Sequence, residues 1–190
     1  MSLKKNKKVL LVDYEDIEKN ALFTLLNYEN KSMVEIDTVH DQRYNLDTYD
    51  SMIINLKKTD EDIFNYYFEY FKKKPVLACG YACIFLSKHY NCAIVKNKGT
   101  DEDSDCLIKA DKRYMIHSNI NNIYNRVKLK HYENRIIIPN ESENKSITYC
   151  TSTYMDTSYK FMYNQHYGVL FSLNDSCFGS LIVHNFINHM

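Results

Sequence analysis

The segment PVLACGYACIFLS, residues 75–87, places two thiols, Cys79 and Cys83, around a glycine. An apolar run, a cluster of small residues and a second apolar run outline a strand, a sharp turn and a helix. Such a turn can present a nucleophilic thiolate at the end of a parallel strand, where a histidine base and a group that orients the histidine complete the chemistry. His166 and His131, in the strand-rich second half, are histidines such a thiol could use. Against this stand two plainer roles: a buried thiol packed as a small hydrophobe, and a histidine that is exposed or hydrogen-bonded in place.

The elements that must position these groups follow from periodicity. KVLLVDY at 8–14 is a short run of β-branched and leucine residues ending near an acidic one, as buried parallel strands do. In the next segment Ile17, Ala21, Leu22, Leu25 and Leu26 recur at helical spacing and give one apolar stripe. MVEIDTV at 33–39 alternates like a strand, YDSMIINL at 49–56 is a third and PVLAC a fourth. Asp60 stands at the N-cap of an aromatic helix, EDIFNYYFEYFKK.

The first half therefore reads β-α-β-β-α-β-α. That alternation implies a mostly parallel sheet with right-handed crossovers, binding ligands beyond the carboxyl ends of its strands. Asp13, Asn55 and the glycine turn share that edge. NKGTDEDSD at 97–105 is a polar, acidic loop within the domain. In the second half RYMIHS, NRVKLKHY, RIIIP, SITYCTSTY, KFMYNQHY and GVLFSL are closely spaced strand-like segments, expected to form a partly antiparallel meander. FGSLIVHNFINH, with Leu181, Ile182, Asn185 and Phe186 at helical intervals, should close the chain as a helix.

Composition narrows the function classes. A chain of 190 residues with 45% hydrophobic content suits one globular domain spanning 1–190. Lysine plus arginine equals aspartate plus glutamate at 24 each, so no bulk positive field exists to hold nucleic acid or an anionic membrane surface. The basic run KKNKK at 4–8 reads as a solvated end. No apolar run approaches the roughly 18 residues a membrane span needs, and the amino terminus lacks a signal-peptide core. A cytoplasmic protein is expected. Its six cysteines contain no CxxC pair, so neither a metal site nor a cofactor is expected.

Along its whole length the pattern resembles the class I glutamine amidotransferase domain, the glutaminase module of anthranilate synthase, GMP synthase and relatives. KVLLVDYEDIEKNALFTLL is similar to the family's opening strand and helix. YDSMIINLKKTDED stands where the family has a strand and a glycine-rich oxyanion loop. KPVLACGYACIFLS resembles the GxCxG nucleophile segment, and YGVLFSLNDSCFGSLIVHNFI resembles the segment around GVQFHPE and the terminal helix. The resemblance implies a flavodoxin-like α/β fold: a mostly parallel central sheet flanked by helices, with a smaller, partly antiparallel sheet in the second half.

The catalytic letters differ. Aligned on Pro75-Val76-Leu77, the nucleophile falls at Gly80, flanked by Ala78 and Ala82. Aligned on Gly168-Val169 and Phe171, the catalytic histidine falls at Ser172 and the glutamate at Asn174, while Leu56, Lys57 and Lys58 replace the oxyanion glycines. The family's thiolate attacks the glutamine amide, histidine takes the proton, glutamate orients the histidine and backbone amides hold the oxyanion. Glycine, serine and asparagine cannot fill the first three roles. The resemblance thus implies the fold without the reaction, with Gly80 permitting the positive φ of a strained elbow.

Two functions stay open on the sequence. One is a catalytically inactive domain acting as a binding or regulatory partner of another protein, either a synthetase or a regulatory target. The other is an active glutaminase subunit that feeds ammonia to a synthetase through a displaced Cys79 or Cys83 with His166. A one-residue shift along a strand turns a side chain to the opposite face, so Cys79 is expected to face the core. A third, rival fold is a degenerate response-regulator receiver, with Asn55 in place of its acceptor aspartate.

Overall fold

The architecture is that of a computed structural model, which describes residues 7–14, 34–38, 45–96, 105–110, 115–118, 124–128, 135–138, 146–152, 156–161, 165–171, 173 and 179–188. Five strands stand side by side and parallel: β1 (Lys7–Asp13), β2 (Val34–Thr38), β3 (Ser51–Leu56), β4 (Val76–Gly80) and β11 (His166–Val169). Their order is β2-β1-β3-β4-β11. The sheet continues antiparallel through β10 (Asp156–Phe161), β9 (Ser146–Ser152), β6 (Asp105–Ala110) and β7 (Tyr124–Lys128), giving nine strands in all. A separate antiparallel ribbon pairs β5 (Ala93–Lys96) with β8 (Arg135–Ile138). The strand that joins the parallel half on its far side, β11, thus comes from near the end of the chain.

Near-continuous apolar runs are what a parallel sheet covered on both faces requires. Val9, Leu10, Leu11 and Val12 in β1, Met52, Ile53 and Ile54 in β3, and Val76, Leu77 and Ala78 in β4 are all buried. One face is covered by α1 (Glu61–Phe71) and α2 (Tyr81–His89). Phe64, Phe68 and Phe71 repeat at helical spacing on the inward side of α1, and the Phe64 ring stacks on Phe68 at 5.1 Å and tilts against Phe85 of α2 at 5.8 Å. The closing helix, α3 (Gly179–Asn188), buries Ile182, Val183, Phe186 and Ile187. The helix expected between β1 and β2, and most of the acidic loop at 97–104, lie outside the described residues.

One local expectation is corrected, and another holds with an unexpected bond. RYMIHS does not form a strand at its centre: Met115–His117 is a 3-10 turn with Ile116 buried. Its carbonyls meet a side-chain amide instead of a ladder, because Asn185 Nδ2 of α3 donates to Ile116 O at 3.1 Å and Ser118 O at 2.7 Å. Asp60 does occupy the N-cap of α1, but its carboxylate makes no capping bond. At φ −101°, ψ 29° the side chain is aimed backward, accepting from the Lys57 N–H at 3.0 Å and the Thr59 hydroxyl at 2.9 Å.

The corner between α1 and β4 is tied to the chain before β3 by one lysine. Lys74 Nζ donates to the carbonyls of Tyr49 at 2.8 Å, Asp47 at 3.0 Å and Leu46 at 3.4 Å, the last two from a 3-10 turn at Leu46–Thr48. An ammonium has three protons, so these carbonyls match its donor count. Replacing Lys74 with Met keeps the stem and strands the three carbonyls. The expected loss is about 2 kcal/mol, read as a lower urea midpoint with an unchanged slope.

Candidate functional site

Beyond the carboxyl ends of the parallel strands, β4 passes directly into α2 through Gly80. Gly80 has φ 58° and ψ −123°, the one left-handed glycine among the described residues. An L-residue held there would carry roughly 1–3 kcal/mol of backbone strain, which glycine avoids. Register aligns Asp13 of β1 with Asn55 of β3, Cys79 of β4 and Val169 of β11, so these four form one row across the sheet edge. Members of a row point to the same face. Asn55 Nδ2 donates to Asp13 Oδ1 at 3.2 Å within it.

Cys79 and Cys83 are not presented together at the turn. Cys79 is buried in that row, and burial, reinforced by the Asp13 charge, pushes its thiol pKa well up. Cys83 lies in the first turn of α2, in the layer that covers the neighbouring row, fully buried over Gly168 of β11. Burial also raises its pKa, with Cys79 and Cys92 adding to the rise and the Ser87 hydroxyl opposing it. Neither thiol has the depressed pKa and access of a reactive cysteine.

His166 opens β11 opposite Val76, whereas Cys79 pairs with Val169. The histidine is therefore at the amino edge, about 10 Å along the strand from the turn. Both ring nitrogens are used there. Nε2 lies 3.0 Å from Lys74 O and 3.3 Å from Phe71 O, so it carries the proton and donates; Nδ1 accepts from the Tyr90 hydroxyl at 2.6 Å. The ring is wholly buried against Phe68, at 5.2 Å between centroids. Burial drops its pKa to about 4, against the opposing pull of the two carbonyls. Tyr90, pushed up to about 12 by burial, stays a hydroxyl donor.

Where an oxyanion loop was expected, residues 57–60 close into a tight turn. The Lys57 N–H is held by the Asp60 carboxylate, and the Asp60 N–H returns to Lys57 O at 3.1 Å. Lys57 Nζ sits 5.3 Å above the Tyr14 ring. Among the described residues no group of three His, Cys, Asp or Glu side chains could hold a metal, and no helix is long and apolar enough to cross a membrane.

No family model and no curated protein matches the sequence. Solved structures match closely in shape. A GMP synthase subunit from Thermoplasma acidophilum superposes with a TM-score of 0.77 at 16% identity, over 96% of this chain and 93% of that one. A glutamine amidotransferase from Thermotoga maritima gives 0.65 at 13% identity, over 97% and 82%. PurLQS from the same organism gives 0.63 at 9% identity, over 97% of this chain and 99% of that one.

The fold is that of a class I glutamine amidotransferase domain.

The β4–α2 turn is the segment that the resemblance aligns with a nucleophile elbow, and Gly80 stands where strand passes into helix. The receiver-like alternative could take β11 as its fifth parallel strand but has no place for the four antiparallel strands beyond it. Ser172 and Asn174, expected at the histidine and glutamate positions, lie outside the described residues, as does His131. The flanking Phe171 and Leu173 are buried. Tyr90 and Lys74, which hold His166, give no sign of that role in the sequence; a buried polar tip on a tyrosine at the end of α2 carries no local signal. Asn185 does leave one, as an amide on the apolar stripe of the closing helix.

Two consequences can be measured. A methyl group on Gly168 would overlap the Cys83 sulfur and press the Phe161 ring at 3.3 Å. Gly168→Ala should cost about 1–3 kcal/mol in urea unfolding, and Cys83→Ala in the same chain should recover part of it by vacating the overlapped volume. His166 is neutral in the fold and has an ordinary value of 6.5 when unfolded. Its contribution is therefore present above pH 6.5 and lost as pH falls toward about 4, by as much as about 3 kcal/mol at the lower limit. In His166→Gln, which keeps a donor and an acceptor but cannot titrate, that part of the acid slope should vanish.

Proposed function

We propose that this chain is a catalytically inactive glutamine amidotransferase-like protein that works as a binding or regulatory partner of another protein. The observation that carries the proposal is Gly80 in the β4–α2 turn, at the position the resemblance aligns with the nucleophile, with a φ of 58° and no side chain to react. Losing one member of a catalytic unit lowers rate by a factor of ~10⁴ or more. The candidates for replacing it are poorly placed for the purpose. Cys79 and Cys83 are buried with raised pKa values, and His166 is held at the opposite strand ends by Tyr90, Phe71 and Lys74. The Lys57 amide, near the expected oxyanion position, already donates to Asp60.

A partner role is supported by the company the fold keeps: one similar structure is named as a subunit of a synthase. The alternative, an active glutaminase subunit that delivers ammonia through a displaced cysteine, makes a different prediction. Purified protein incubated with glutamine should release neither glutamate nor ammonia above a boiled control. A glutamine-analogue electrophile should leave Cys79 and Cys83 unmodified in the intact-mass spectrum of the folded chain. Glutamine hydrolysis that disappears in Cys79→Ser or Cys83→Ser, or an adduct on either thiol, would establish the enzyme instead.

A further inference from the structure

Helix α1 has two faces of different character. Phe64, Phe68 and Phe71 turn inward, while Ile63, Tyr66 and Tyr70 turn outward and are 45%, 57% and 43% exposed. The outward three are spaced i, i+3, i+7, which aligns them in one stripe along the helix. The stripe is already organised: Tyr66 meets Tyr67 edge-on at 5.1 Å and Tyr70 at 5.8 Å between centroids. Rings held in this way lose little rotamer freedom on contact, and tyrosine is among the residues that anchor interfaces.

The charges beside the stripe say what would cover it. Glu61 is engaged by Lys88 at 2.6 Å and Lys72 by Glu69 at 2.7 Å. That leaves Asp62 at the amino end and Lys73 at the carboxyl end, both exposed. Lys73 lies two residues past the end of α1, but Lys72 keeps the right-handed helical conformation, so the two stand about three turns apart at 100° per residue, on the same flank of the stripe. In an antiparallel helix pair, like flanks meet. A second copy of α1 laid antiparallel would then put Asp62 beside the partner's Lys73 and Lys73 beside the partner's Asp62. It would also set Tyr66 against the partner's Tyr70. Glu69, nearer the two-fold axis on that flank, is neutralised by its bridge to Lys72.

We infer that α1 is a two-fold interface at which a second copy of this chain docks antiparallel. A single helix face is smaller than a standard interface, so the expected dissociation constant is on the order of 10–100 µM. Sedimentation equilibrium of the full chain should show the mass rising from monomer to dimer across that range. Tyr66→Glu should weaken association about 10-fold or more. Asp62→Lys and Lys73→Asp should each weaken it roughly 3- to 10-fold, and the doubly reversed chain should return to within about 2-fold of the parent. All of these substitutions are at exposed positions, and an unchanged urea midpoint will verify the fold. A chain that stays monomeric to about 1 mM, or a dimer indifferent to Tyr66 and to the charge reversal, would overturn the inference.

Discussion

Both nitrogens of one buried imidazole join segments that are far apart in the chain. His166 reaches back 76 residues to Tyr90 and 92 and 95 residues to the Lys74 and Phe71 carbonyls. A slip of β11 by one residue would turn the ring to the opposite sheet face and leave a buried hydroxyl and two carbonyls unmatched, at about 1–3 kcal/mol each. The histidine therefore fixes the register of β11 on β4. Because β10 pairs with β11, it also fixes the start of the antiparallel half.

The rest of the elbow region depends on that register. With His166 opposite Val76, Gly168 falls opposite Ala78, on the same face as the imidazole and beneath the first turn of α2. Only there can Cys83 pack onto the strand without meeting a side chain. Val169 is brought level with Cys79, Asn55 and Asp13, completing the row at the carboxyl edge. The same corner takes up Lys74 twice, its carbonyl receiving His166 and its ammonium closing over three carbonyls before β3. The polar groups at the amino edge thus set the geometry found at the opposite edge.

Much of this is legible in the sequence, for a physical reason. The parallel strands are buried on both faces, so Val9 to Val12 and Met52 to Ile54 are apolar without interruption. The elbow is legible because few residues tolerate its backbone, and a glycine between an apolar strand and an apolar helix is a strong local mark. Alternation along β4 turns Cys79 to the face opposite Ala78, while Cys83 belongs to α2. What the sequence leaves obscure are bonds between distant polar groups. Nothing near Met115 announces that Asn185 will satisfy its turn, and nothing near His166 points to Tyr90. Asp60 does mark the start of α1, but the sequence names the residue and not the direction of its carboxylate.

Gly80 also changes where the elbow's energy cost falls. An L-residue at φ 58° would place that cost in the folded state, as strain held by the surrounding sheet and helix. Glycine moves it to the unfolded ensemble, whose extra backbone freedom must be surrendered on folding, at roughly 0.5–1 kcal/mol relative to alanine. The turn is then a relaxed join between β4 and α2, shaped by the register of its neighbours and free of any spring of its own.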